Sequence, residues 1–368
     1  MKKHLYKRSM FFAFLCVCVF SGCLYPRPET HSDSCREGRF ISGGKQIVCI
    51  APDLARRLSL SMVNLATGEQ CVIKPYAVPY ALSRDRQHLA FVDYKDKSLL
   101  WIFDIYERVF AKIDCSWLQP EEWIIAVSPD FERVVVQAPG LRFHWPTFVV
   151  GIDGQGRQDI TSNGKVMVSW RRLGFSPCGR YLLYRDSRYV YLHDYEENAT
   201  REFHYEASDR AGKGGESFSP DSLSMVLTKS NTLIVASLDG TKAETIFVEP
   251  LEPKKWIRPY TGSSIQFPQF SPDGNSIVFW ANLDNARGLH MIDKDGSNMK
   301  HLCEALPTGF DFSPDGRSIL YEYGHLAAQG LSDSTRELRI VDVASGLVTT
   351  VSVTSVRSDC FHADGDIR

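Results

Sequence analysis

The sequence predicts an all-β chain, a β-propeller of four-stranded antiparallel blades, and three observations carry that expectation. A serine-centred turn motif recurs seven times, with its serines at 42, 83, 128, 176, 219, 271 and 313. Each copy runs into a short apolar segment of strand length rather than helix length. A second turn signal falls within every period, so each period holds two hairpins and therefore four strands.

The copies grade from complete to eroded. Phe270-Ser-Pro-Asp-Gly274 precedes Ile277-Val-Phe279, and Phe312-Ser-Pro-Asp-Gly316 precedes Ile319-Leu-Tyr321. Phe175-Ser-Pro-Cys-Gly179, Phe218-Ser-Pro-Asp-Ser222, Val127-Ser-Pro-Asp-Phe131 and Leu82-Ser-Arg-Asp-Arg86 keep most of the pattern, and Ile41-Ser-Gly-Gly-Lys45 keeps least. Proline fixes φ, aspartate bonds the local backbone and glycine accepts positive φ, so Ser-Pro-Asp-Gly closes a tight turn. The second turns are Ala66-Thr-Gly68, Ile105-Tyr-Glu107, Asp153-Gly154, Glu196-Glu-Asn198, Asp239-Gly240, Asp295-Gly296 and Ala344-Ser-Gly346. Sheets this small cannot bury both faces alone, so neighbours must stack around an axis.

Phe-Ser-Pro-Asp-Gly before an apolar strand resembles the propeller repeat of TolB-type (WD40-like) periplasmic proteins, shared with the propeller domains of prolyl-oligopeptidase-like peptidases. The resemblance covers residues 39–368 and implies a propeller. Seven periods predict seven blades, with six or eight as alternatives. An eighth start at Phe361-His-Ala-Asp-Gly365 predicts that residues 355–366 complete the first blade, beside or in place of Arg36–Ile41, because an open sheet edge is a liability.

Residues 1–22 read as a targeting leader. Lys2, Lys3, Lys7 and Arg8 precede an apolar run from Met10 to Phe20, too short to span a bilayer but right for a signal peptide. Phe20-Ser-Gly-Cys23 resembles the lipobox of bacterial lipoproteins, which implies that Cys23 is lipidated and becomes the new N-terminus. Leu24 follows it, so the aspartate of inner-membrane retention is absent and an outer-membrane anchor on the periplasmic side is expected. Residues 23–38 then form a tether and 39–368 the propeller.

The chain is 43% hydrophobic and 12% aromatic, enough for a sizeable core. Its formal charge of −2 becomes −6 once the four basic leader residues are removed. A mildly acidic chain without a basic stripe excludes nucleic acid as the expected partner. Export permits disulfides, and Cys35 and Cys360, both near the closing seam, are the candidate pair; two unrelated buried thiols are the alternative.

The usual chemistry is missing from the sequence. No G-x-S-x-G elbow or H-E-x-x-H is present, so no catalytic residue and no zinc site are expected. Asp293-Lys-Asp295-Gly-Ser297 with Glu304 outlines part of a calcium loop, but Asp-Gly falls on the second hairpin, where it is ordinary turn chemistry. No cofactor is expected. His144, His193, His290 and His325 could meet at a central funnel, as in propeller lyases acting on acidic sugars.

The better candidates are insertions, since loops on a rigid scaffold carry function. Lys255, Trp256, Arg258 and Tyr260 interleave charge and aromatics within Pro250–Gly262, and Arg142, His144 and Trp145 form a second such segment. Tryptophan, tyrosine and arginine dominate binding hot spots. The expected function is a non-catalytic, lipid-anchored envelope scaffold whose partners, by the TolB resemblance, are envelope proteins or lipoproteins. The alternative is a glycan-binding or glycan-cleaving propeller acting on acidic saccharides.

Overall fold

The computed structural model describes residues 36–55, 58–75, 77–93, 96–139, 145–161, 173–185, 189–204, 216–229, 231–249, 265–283, 286–305, 309–324 and 336–357. They form seven blades of four antiparallel strands arranged in a ring, the first blade's sheet being extended by a fifth strand. Blade 1 holds β1 (Arg36–Ile41), β2 (Gln46–Pro52), β3 (Leu58–Asn64) and β4 (Glu69–Pro75). Blade 2 holds β5 (Ala77–Leu82), β6 (His88–Asp93), β7 (Asp96–Asp104) and β8 (Phe110–Asp114). Blade 3 holds β9 (Trp123–Val127), β10 (Arg133–Gln137), β11 (Thr147–Gly151) and β12 (Gln158–Asp159). Blade 4 holds β13 (Leu173–Phe175), β14 (Tyr181–Arg185), β15 (Tyr189–Asp194) and β16 (Ala199–His204). Blade 5 holds β17 (Glu216–Phe218), β18 (Ser224–Lys229), β19 (Thr232–Ser237) and β20 (Ala243–Val248). Blade 6 holds β21 (Gln266–Phe270), β22 (Ser276–Leu283), β23 (Ala286–Asp293) and β24 (Lys300–Cys303). Blade 7 holds β25 (Phe310–Phe312), β26 (Ser318–Gly324), β27 (Arg336–Asp342) and β28 (Val348–Thr350), and β29 (Ser355–Arg357) follows it.

First strands of neighbouring blades meet one another, β1 with β25, β5 with β9 and β17 with β21, so these strands surround the axis. Blade faces supply the core. Phe279 and Val226 pack between blades 5 and 6, and Phe312 and Trp280 between blades 6 and 7. At about 25 cal/mol per Å² of apolar surface removed from water, such inter-blade packing is the main term holding the ring.

The repeat motif welds that ring. In its complete copies the serine Oγ donates to the aspartate two residues on, 2.5 Å for Ser271–Asp273 and 2.7 Å for Ser313–Asp315. It also accepts the N–H five residues on, as Ser276 N–H does to Ser271 at 3.0 Å. The fourth position, counted from the serine, is left-handed in six copies, at Arg86, Phe131, Gly179, Ser222, Gly274 and Gly316, with φ between 57° and 77°, and in the eroded first copy the left-handed residue comes one position earlier, at Gly44 with φ 85°. Each of these residues faces the preceding blade. A Cβ on Gly274 or Gly316 would lie 3.6 Å from Pro220 or Pro272, and one on Gly44 the same distance from Pro314 of blade 7. Where a side chain occupies the position it reaches across instead. Phe131 meets the His88 ring edge-on at 6.4 Å, and Ser222 Oγ accepts the Cys178 N–H at 3.2 Å.

Arg86 reaches furthest. Its guanidinium donates to the Phe40 carbonyl at 2.9 Å and to both oxygens of Asp311, at 2.6 and 3.0 Å, so blade 2 is tied to blades 1 and 7 at once. Asp311 is only 3% exposed and also accepts the Phe40 N–H at 2.8 Å. Beside this clasp Phe40, Leu320 and Leu338 close the seam between blades 1 and 7.

Two boundaries differ from the sequence reading. β1 begins at Arg36, inside the segment read as tether. β29 does not lie beside or replace β1; it pairs in parallel with β4, on the outer edge of blade 1. The reason is that residues 36–75 already supply all four strands of blade 1, and β4 offers the free edge.

The motif aspartates predict acid sensitivity. Hydrogen bonds from serine hydroxyls, then from backbone N–H groups, hold Asp85, Asp221, Asp273 and Asp315 below the usual carboxylate range. The same chemistry in a second turn holds Asp239 down at about 2. A carboxylate whose folded pKa is depressed contributes stability above its unfolded pKa, and that contribution is lost as pH falls through the folded value. The urea midpoint is therefore expected to fall between about pH 4 and pH 2, and Asp273→Asn should flatten part of that fall in pH-dependent urea titrations.

Candidate functional site

The strands run so that every motif turn and every second turn lies at one end of its sheet. The connections joining second to third strands, and each blade to the next, leave from the other end. Every internal segment outside the described residues belongs to that second set. After residues 205–215 the described chain resumes at Glu216 and Ser217 on β17, and after residues 250–264 it resumes at Ile265, just before Gln266 on β21.

The inner strands at this point carry two departures from regular structure. Ser217 Oγ on β17 and Gln266 Oε1 on β21 are buried without a hydrogen-bond partner among the described residues. Between Gln266 and Gln269 the register of β21 against β22 slips by one residue, a bulge containing Phe267 and Pro268. Phe267 sits at φ 54°, a left-handed conformation that is costly for an aromatic residue. Strain and unsatisfied polar atoms gather at functional sites. The axial rim of blades 5 and 6 is therefore the candidate site.

A separate cleft of about 530 Å³ lies between blades 3 and 4, lined by Phe131, Arg133, Val149, Ile152, Gln158 and Tyr195 among others. The Arg133 guanidinium stands 5.1 Å from the Tyr195 ring centre. The Tyr195 hydroxyl has no partner among the described residues, and burial pushes its pKa well up. Gln158 also accepts from His193 Nε2 at 2.9 Å, while Nδ1 meets Thr200 Oγ1 at 3.0 Å. Burial holds His193 below the ordinary histidine value, so the ring is neutral and structural.

The histidines that could have met at a funnel do not converge where they are described. His193 and His290 are both buried on third strands, of blades 4 and 6, away from the axial strands. His290 Nε2 contacts the Ala286 carbonyl at 3.1 Å and its ring stacks on Phe279. His144 and His325 lie outside the described residues, as do Cys23, Cys35, Arg142, Lys255, Trp256, Arg258, Tyr260 and Cys360. Trp145 is described and packs edge-on against Trp123 with ring centres 5.1 Å apart. The calcium-like outline is used locally: Asp295 accepts from the Ser297 N–H and hydroxyl, and Asp293 from Asn298 and Ser276. No helix among the described residues is long and apolar enough to cross a membrane.

Cys178 is a variation the sequence displayed but did not interpret. It takes the aspartate position of the blade 4 motif, with its sulfur 3.2 Å from Ser176 Oγ. Burial raises its pKa, but hydrogen bonds from Ser176, Ser222 and the Arg180 N–H outweigh this and leave it below the ordinary thiol value. Cys303 is buried and pushed up to about 11, and burial likewise raises Cys115. Iodoacetamide should therefore modify Cys178 ahead of Cys115 and Cys303, with a pH midpoint below that of an ordinary thiol. Equal rates at Cys178 and Cys303 would contradict this.

No family model and no curated protein matches the chain. Solved structures do. The oligogalacturonate lyase of Vibrio parahaemolyticus aligns with a TM-score of 0.56 at 14% identity, over 88% of this chain and 93% of that one. A puromycin-hydrolyzing peptidase of Mycobacterium tuberculosis aligns at 0.55 and 13% identity, over 89% of this chain and 56% of the peptidase. TolB from Acinetobacter baumannii aligns more loosely, at 0.40 and 14% identity, over 76% of this chain and 68% of TolB. Likeness at these identities establishes the class, a seven-bladed β-propeller, and leaves substrate and partner open.

Proposed function

We propose that the chain is a lipid-anchored propeller of the cell envelope, held on the periplasmic side through Cys23, that serves as a non-catalytic protein-binding scaffold. The observation that supports this reading is the strained, polar rim of blades 5 and 6, whose strand β21 follows in the chain the segment bearing Trp256, Arg258 and Tyr260. A partner protein docks at that rim, with the aromatic and arginine side chains as anchors. An acidic-saccharide-binding propeller is the second reading, favoured by the alignment with an oligogalacturonate lyase. The buried positions of His193, engaged through both ring nitrogens, and of His290, engaged through Nε2, weigh against its lyase form.

The test is an affinity capture from detergent-solubilised envelopes with wild type and a Trp256→Ala/Arg258→Ala/Tyr260→Ala variant. The expected result is a specific protein retained by wild type and lost by the folded variant. Enrichment of no protein, together with retention on acidic oligosaccharide columns, would replace the scaffold with the saccharide reading.

A further inference from the structure

We propose that the cleft between blades 3 and 4 binds a carboxylate carried on an apolar body, with the Arg133 guanidinium as its anchor. The volume of about 530 Å³ suits a small organic acid or the last residues of a peptide. The cleft belongs to other blades than the rim, so its ligand does not depend on the scaffold reading.

Strand register builds its walls. Arg133 on β10 stands opposite Gly151 on β11, and Val149 on β11 stands opposite Gln158 on β12. Alternate residues of a strand share a face, so all four belong to one face of blade 3. That face looks at blade 4, because Val149 packs with Tyr184 and Tyr191. Gly151 places no side chain beside Arg133, which leaves that end of the face to the cleft. From blade 4, Tyr195 supports the guanidinium, its ring centre 5.1 Å away. The same ring is covered by Phe175 and, edge-on, by His193, so it braces a cation rather than offering a platform for a sugar.

Arg133 has donors to spare. A guanidinium carries five N–H groups, yet both of its ion pairs run through Nη1, at 3.5 Å to Asp130 and 4.0 Å to Glu132. These distances are at or beyond the limit of a hydrogen bond. Asp130 already accepts from the Ser128 hydroxyl and the Glu132 N–H, and the Glu132 side chain is 70% exposed. The other lining carboxylates are engaged as well: Glu196 pairs with Arg180 at 2.6 Å, and Asp153 accepts the Gln155 N–H at 2.9 Å. Nε and Nη2 of Arg133 have no acceptor among the described residues. Together they form the planar fork that fits a carboxylate in two parallel bonds. Gln158 gives its Oε1 to His193, so its amide NH₂ is the end left to donate. Phe131, Val149 and Ile152 supply the apolar wall for the rest of the ligand.

Calorimetric titration of the full chain with hydrocinnamate and with hydrocinnamide, its uncharged amide, tests this. The acid should bind at least about tenfold more tightly than the amide, the scale of a charge-assisted hydrogen bond. Arg133→Gln should weaken the acid by a similar factor. Glu132→Gln removes a like charge beside the ligand and should tighten the acid while leaving the amide unchanged. A short peptide ending in phenylalanine, with a free or an amidated terminus, separates the two sources. Tighter binding of the free-acid peptide than of hydrocinnamate assigns the cleft to a chain terminus, and equal or weaker binding assigns it to a small acid. Failure of the wild type to bind either acid, equal affinity for acid and amide, or undiminished affinity in Arg133→Gln overturns the proposal. Weaker acid binding in Glu132→Gln does so too. The acid–amide comparison on wild type decides even if Arg133→Gln does not fold.

Discussion

Asp311→Ala is expected to destabilise the ring by about 2–4 kcal/mol, reduced from the roughly 3–5 kcal/mol for breaking a fully buried ion pair. The carboxylate is buried, but its partner Arg86 is about a quarter exposed, so water recovers part of the loss. Removing it leaves the Phe40 N–H and the Arg86 guanidinium without their shared acceptor at the meeting of three blades. Asp311→Asn keeps one oxygen and should cost less. Urea unfolding of Asp311→Ala, Arg86→Ala and the double variant forms a cycle, with a coupling of at least about 1 kcal/mol expected. Additive losses would mean that the two side chains act independently.

Gly288→Ala should cost a similar amount, about 2–4 kcal/mol, from overpacking and backbone strain together. Gly288 opens β23 opposite Ala281, and a Cβ there would lie 1.9 Å from the Cys303 carbonyl oxygen. Its φ of 156° adds a conformation that a side chain resists. The clash is with backbone, so β24 must move as a strand. Cys303 and Leu302 would then lose their cover, and labelling of Cys303 should accelerate alongside the fall in urea midpoint. Gly174→Ala, with nothing near its Cβ and no left-handed φ, is the matching control and should change little.

The blade plan was legible because its determinants are local. Ser271, Asp273 and Gly274 form their turn within five residues, so the motif reads directly from the chain. What the fourth motif position does was not legible, because Arg86 bonds a carboxylate 225 residues away and Asp311 looks unexceptional in sequence. A closing strand was anticipated over residues 355–366; the described part, β29, starts at Ser355 but lies on the other edge of blade 1, since the pattern does not say which strand of that blade lacks a neighbour. Trp145 was singled out for its composition, yet its ring is engaged by Trp123. The sequence candidates Lys255, Trp256, Arg258 and Tyr260 lie outside the described residues, whereas the rim features of blades 5 and 6 were not singled out in the sequence. The bulge at Phe267 and the orphaned Gln266 oxygen depend on pairing with β22 and on burial, which no single segment encodes.

The direction of β1 has a mechanical consequence. It runs toward its motif turn, so the chain enters the ring near the axis and at the same end as the insertions. From Cys23 to Arg36 the leash is at most about 45 Å when fully extended. On the lipid-anchored reading, the end of the ring at which β1 enters would be the tethered end, and the ring of motif turns would be the end farther from the tether. A partner reaching the blade 5–6 rim would have to enter the gap between ring and lipid, so the leash length would act as a size filter on what the scaffold can hold.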